Sequence, residues 1–183
     1  MSPTLTLTLE EKNSLLNIAR TSISSTFTPS ETVHTEPTDT LVKTCGVFVT
    51  LTINKQLRGC IGNIIGNYPL HKGVEKMAKQ AAFSDHRFSP LQKTELNQIH
   101  IEISVLSPLF PIEPANVIVG THGLLLSKGP QGGVFLPQVP MEQGWSIHDY
   151  LEGLCQKAGL PSGSYNSTDC QLDAFTAIVF GEK

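Results

Sequence analysis

The run Leu57-Arg58-Gly59-Cys60-Ile61-Gly62 places a thiol between two glycines, with a guanidinium two residues upstream. A cation beside a cysteine favours the thiolate, the form that attacks electrophiles and binds metal. On an extended strand Arg58 and Cys60 share one face and Gly59 and Ile61 the other. Gly59 and Gly62 allow a backbone or a ligand to come close. The chemistry this predicts is nucleophilic, with Arg58 also placed to hold an anion. The plain alternative is a small buried thiol in a tightly packed strand.

Gly120-Thr121-His122-Gly123 reads as a tight turn that presents an imidazole. His122 is the candidate base for Cys60, or a metal ligand. Against that stands a turn histidine bonded to its own backbone. Asp85-His86-Arg87 is the third polar constellation. Asp85 and Arg87 predict an ion pair or a helix cap, or else Arg87 joins Arg58 in holding a small anionic ligand. Glu102 is placed either to pair with Arg58 or to serve the site itself, with ligand binding or catalysis equally open, and His86 is a second candidate proton carrier. No His-x-x-x-His or Cys-x-x-Cys spacing occurs, so no metal site is predicted. No phosphate-binding glycine loop and no Gly-x-Ser-x-Gly turn is present, so the sequence names no cofactor and no serine nucleophile.

The elements that must position these groups can be traced along 183 residues, enough for one domain or two small lobes. The formal net charge of −3 argues against a nucleic-acid binder. No stretch is apolar for long enough to cross a bilayer, and Met1–Glu11 lacks the features of a secretory leader. Four scattered cysteines fit free thiols in a reducing cytosol.

Thr8 and Glu11 form a capping-box pattern, followed by apolar residues at helical spacing to Ile23. Residues 24–44 read as a long flexible loop. Alternation from Val47 to Ile53, a turn at Asn54-Lys55-Gln56 and a return over Leu57–Ile61 predict a hairpin. His71–Phe83 reads as an amphipathic helix. Ser89 and Pro90 predict a short helix containing Glu95. Ile99–Leu106 reads as a strand. Val117–Leu126 reads as two short strands about the His122 turn, Gly129–Gly133 as a turn and Val134–Val139 as a strand. Ser146 caps a last helix that Gly159 closes. Leu172–Phe180 reads as one central strand covered on both faces. The fold class is α+β, a mainly antiparallel sheet flanked by helices.

Several phrases occur in one order: Gly46-Val47-Phe48-Val49-Thr50-Leu51, the Leu57–Gly62 run, Ala81-Ala82-Phe83-Ser84-Asp85-His86-Arg87-Phe88-Ser89-Pro90-Leu91, Ile101–Ser107, Gly120–Leu124, Phe135–Val139, Gly144-Trp145 and Lys157-Ala158-Gly159-Leu160. Together they resemble the family named after the AMME-syndrome chromosomal region candidate gene, whose prokaryotic members are called AmmeMemoRadiSam system protein A. Tyr165 departs from the tryptophan that the resemblance leads one to expect. The resemblance covers about Gly46 to Phe180. It implies a single cytoplasmic domain over 1–183 with two unequal lobes and a cleft, the larger lobe holding both termini and the smaller lying in mid-chain. It also implies Memo-like and radical SAM partners, and no settled reaction. Two functions stay open: an enzyme or enzyme component with a cleft lined by Arg58–Gly62, and a non-catalytic binding or adaptor module. Nucleic-acid binding is a weaker third.

Overall fold

The structure is a computed structural model in which residues 5–28 and 36–182 are described. The chain order is α1 (Leu9–Ser24), β1 (Gly46–Ile53), β2 (Gln56–Asn63), α2 (Leu70–Phe83), β3 (Ile99–Leu106), β4 (Phe110–Pro111), β5 (Gly123–Lys128), β6 (Gln131–Phe135), α3 (Gln138–Gln143), α4 (Ile147–Ala158), β7 (Gln171–Phe175) and β8 (Ala177–Gly181). The α+β expectation holds, with two four-stranded sheets in the orders β2-β1-β3-β8 and β4-β7-β5-β6. No helix among the described residues is long and apolar enough to cross a membrane.

The chain forms two compact units, Leu5–Leu106 with Ile178–Lys183, and Ser107–Ala177. In the larger unit, Val47, Val49 and Leu51 of β1 and Ile99, Ile101, Ile103 and Val105 of β3 are buried against Leu15, Ala19 and Ile23 of α1 and Val74, Met77, Ala78 and Ala81 of α2. Alternation along the strands supplies one apolar face, and helical spacing supplies the stripes that cover it. The α1 capping box forms as expected: Glu11 N donates to Thr8 Oγ1 at 3.1 Å and Thr8 N to Glu11 Oε2 at 2.9 Å. Thr38 donates to Glu11 Oε1 at 2.6 Å, and Leu41 is buried in the core. The second half of the 24–44 segment is therefore tied to the fold, while its residues 29–35 lie outside the described residues.

In the Ser107–Ala177 unit, α4 packs on β5 and β6. Leu124, Leu126, Leu172 and Ala174 meet Tyr150, Leu151 and Leu154. Ser146 caps α4 through its hydroxyl, and Gly159 closes it in the left-handed region.

Five expectations need correction. The single strand Leu172–Phe180 is two strands in different sheets, β7 and β8, broken at Thr176. The break is held by Ser107, whose N donates to Thr176 O at 2.9 Å while Thr176 N donates to Ser107 Oγ at 3.0 Å. Gly129-Pro130 alone makes the turn into β6, which ends at Phe135. Pro137 then leads into α3 rather than sitting in a strand, since proline cannot donate to a ladder. No strand directly precedes the His122 turn: residues 119–121 form the turn, and the strand begins at Gly123. Ser89 caps no helix: a 3-10 turn at Lys93–Glu95 is capped by Gln92.

Ser107 is 3 % exposed, so its hydroxyl cannot be replaced by water without cost. Ser107→Ala strands the Thr176 N–H, and the expected loss is about 1–3 kcal/mol, read as a shift of the urea midpoint without loss of cooperativity.

Candidate functional site

The hairpin turn sits at Asn54 and Lys55, whose φ values of 51° and 65° are those of a type I′ turn. From it, Ile53 pairs with Gln56 and Thr52 with Leu57, but Leu51 pairs with Gly59 and Thr50 with Cys60. Arg58 is the extra residue of a β-bulge. Strict alternation therefore fails at Arg58. Beyond the bulge, Gly59 faces the core with Leu51, and Cys60 faces outward with Thr50.

Gly59 is needed where it stands, since a Cβ there would lie 2.1 Å from the Ala81 carbonyl oxygen of α2. Gly62 is overlain by the Phe48 ring, with a Cβ placed 2.3 Å from its Cγ. Both glycines allow close approach, by helix backbone in one case and an aromatic ring in the other.

β2 is an edge strand, and the Cys60 peptide groups point away from β1. Cys60 N donates to Asp85 Oδ2 at 2.9 Å, and Arg87 Nη2 donates to the Cys60 carbonyl at 3.2 Å. Asp85 and Arg87 are joined by a two-point pair, Nε to Oδ1 at 2.9 Å and Nη2 to Oδ2 at 2.7 Å. Asp85 is 4 % exposed, whereas the Arg87 side chain is half exposed. The guanidinium of Arg87, with the Cys60 N–H as a further donor, holds the Asp85 carboxyl far below the ordinary carboxylate range against the opposing effect of burial. The Asp85–Arg87 pair expected from sequence thus forms, and it serves the backbone of Cys60.

The Arg58 expectation is corrected. Its guanidinium forks onto Glu95, Nε to Oε1 at 2.8 Å and Nη2 to Oε2 at 3.0 Å, rather than pairing with Glu102. The Glu95 carboxyl is lowered first by this bond. Phe88 lies beside both guanidiniums, with ring-centroid distances of 6.0 Å to Arg58 and 5.6 Å to Arg87. Glu102 is instead opposite Thr50 on β3, so Cys60, Thr50 and Glu102 form one row across three strands. The Thr50 hydroxyl donates to Cys60 Sγ at 3.3 Å. His86 is exposed.

His122 belongs to the other unit, so neither unit by itself assembles Cys60 with His122. Its Nδ1 accepts from Ile118 N at 3.1 Å, and its own N–H donates to the Ile118 carbonyl at 3.0 Å. Its ring meets Phe110 edge-on at 5.8 Å, and burial pushes its pKa down. An imidazole that accepts at Nδ1 carries its proton on Nε2. Among the described residues no cluster of three His, Cys, Asp or Glu is arranged for a metal.

Sequence reasoning missed Thr50, Glu95 and Phe88. The bulge hides Thr50, because uninterrupted pairing from the turn would put Gly59 opposite it. Glu95 and Phe88 carry no local signal for Arg58.

Replacing Asp85 by Asn leaves an acceptor for Cys60 N and removes the charge that holds Arg87. The expected cost at pH 7 is about 1–3 kcal/mol. A depressed carboxyl stabilises the fold above its unfolded value of about 4 and loses that contribution as pH falls further. Denaturation curves of D85N and the parent should therefore converge in acid. For His122 the lowered value has the opposite cause but the same slope. The unfolded chain takes up its proton first, below about pH 6.5, so stability falls as pH falls. Proton NMR should show His122 titrating below that value.

Comparison with known proteins extends these observations over the whole chain. The AMMECR1 family model matches residues 16–180. The protein MK0488 of Methanopyrus kandleri is 38% identical over 188 residues, covering 97% of this chain and 91% of the relative. A protein of Thermococcus onnurineus is 42% identical over 149 residues, covering 75% and 73%. The crystal structure of the uncharacterized protein PH0010 from Pyrococcus horikoshii superposes with a TM-score of 0.78 at 38% identity, covering 92% of this chain and 90% of that one. With its ordered phrases, its two antiparallel sheets and a family match running from α1 to β8, the chain belongs to the AMMECR1 family.

Proposed function

We propose that this chain is a binding or adaptor component that works with protein partners and carries no reaction of its own at Cys60. The supporting observation is that the fold already uses the groups thiol chemistry would need. Arg58 is on Glu95, Arg87 is on Asp85, and Gly59 and Gly62 lie beneath Ala81 and Phe48. A small anion at either guanidinium has to displace a carboxylate of the chain itself. The partners this reading takes are the Memo-like and radical SAM proteins that the resemblance implies. A cytoplasmic setting accords with the free thiols at Cys45, Cys60, Cys155 and Cys170.

One observation favours a second reading, a thiol-dependent enzyme component. Cys60 is half-buried with Sγ on the outer sheet face, beside the Thr50 hydroxyl and in one row with Glu102.

Cys60→Ser separates the two. The variant keeps the size and hydrogen-bonding capacity of the side chain. The adaptor reading expects it to co-purify with a Memo-like or radical SAM partner as the parent does, and to retain any partner-dependent turnover within about twofold, a change of under 1 kcal/mol. A folded serine variant that still binds its partner but loses turnover by a hundredfold or more overturns the adaptor reading in favour of the thiol.

A further inference from the structure

The Ser107–Ala177 unit carries two concavities. One, of about 600 Å³, lies between Pro111–Asn116 and Tyr165–Leu172, and its lining is mainly neutral. The other, of about 520 Å³, runs along α4 and is lined by Trp145, Asp149, Glu152, Gly153, Gln156 and Leu160 among others. We propose that the α4 groove docks a lysine- or arginine-bearing segment of a protein partner, its cation held over Trp145 and against Asp149 and Glu152. This deepens the adaptor reading and rests on it.

Charge complementarity carries the assignment. Both charged residues that line the groove are carboxylates. Spaced i, i+3, they lie on one face of α4. Each is anchored through one oxygen. Asp149 Oδ2 accepts from Ser146 N at 3.0 Å and from its hydroxyl at 2.6 Å, and Glu152 Oε1 accepts from Gly163 N at 3.1 Å. These bonds orient the carboxylates and leave Asp149 Oδ1 and Glu152 Oε2 outside them. The Ser146 hydroxyl also lowers the Asp149 pKa, so that carboxyl is ionised at neutral pH.

The indole is seated as well. Trp145 meets Phe135 edge-on at 5.4 Å, and a Cβ on Gly153 would lie 3.2 Å from the indole ring. Glycine is unfavourable inside a helix relative to alanine. Here it makes room for the indole against α4. The result is a half-buried aromatic, packed on Phe135 and Gly153, of the kind that anchors interfaces. The adjoining ring already takes a cation, since the Lys157 ammonium lies 4.3 Å from the Phe135 centroid. The volume suits one long side chain with its flanking backbone.

Trp145 is the only tryptophan of the chain, so its emission reports on this groove alone. The probe is an acetylated, amidated tetralysine peptide titrated into the full chain at low salt. A saturable change in emission is expected. The Asp149→Asn/Glu152→Gln double variant should bind about tenfold more weakly, and a tetranorleucine peptide should give no response. Asn and Gln keep the oxygens that Ser146 and Gly163 use, so α4 stays capped, and far-UV circular dichroism checks this. Three results each overturn the proposal: no saturable response at millimolar peptide, an unchanged isotherm in the double variant, or spermidine binding as tightly as the peptide, which assigns the groove to a free polyamine. Cys60→Ser leaves this isotherm unchanged, so loss of the adaptor reading at Cys60 and loss of this site are told apart.

Discussion

A sheet edge is an invitation to another strand, and at Cys60 that invitation is answered by an ion pair. Asp85 takes the outward N–H and Arg87 gives to the outward carbonyl, the two bonds a neighbouring strand would have made. The constraint reaches well beyond one residue. The turn after α2 must bring residues 85–87 alongside β2, and the Ala81 end of that helix must press on Gly59 for it to do so. Hairpin, helix and turn are thereby one packing unit, although they come from separate stretches of chain.

The arrangement also explains how a carboxylate tolerates near-complete burial. Asp85 satisfies its oxygens with a guanidinium and with backbone donors, and its partner Arg87 remains half in solvent. Only one member of the pair bears the full desolvation cost. Arg58 and Glu95 repeat the logic nearby, and Phe88 lies against both cations. This corner is rich in charge, yet its charges are matched inside the chain. The α4 groove differs in that its two carboxylates are turned outward and the cation they would meet is absent from its walls.

Much of this was legible locally. Thr8 with Glu11 and Ser146 with Asp149 announce helix starts because a cap is a three-residue matter. Ile99–Leu106 declares itself by alternation, and the Asp85–Arg87 pair by proximity in sequence. What sequence hid was set by partners far along the chain. Nothing near Phe175 says that the strand must stop at Thr176, because the reason is Ser107. Glu95 as the partner of Arg58 depends on a fold-back after α2. His122 looked like a presented imidazole, and is instead a side chain that closes its own loop onto Ile118. The glycines and arginines that suggested a ligand also make packing contacts and ion pairs within the chain.

The bulge at Arg58 has a consequence for how this hairpin keeps its two faces apart. It acts as a frameshift within a strand: residues before it and after it obey opposite parity. With Arg58 housed as the extra residue, Leu57 meets Thr52, Gly59 meets Leu51 and Cys60 meets Thr50. Pairing without the bulge at the present length would put Gly59 opposite Thr50 and Cys60 opposite Val49, turning Cys60 to the core and Gly59 to the outer face and carrying the outward peptide groups away from Asp85 and Arg87. The bulge and the glycine that follows it therefore together decide which face Cys60 occupies.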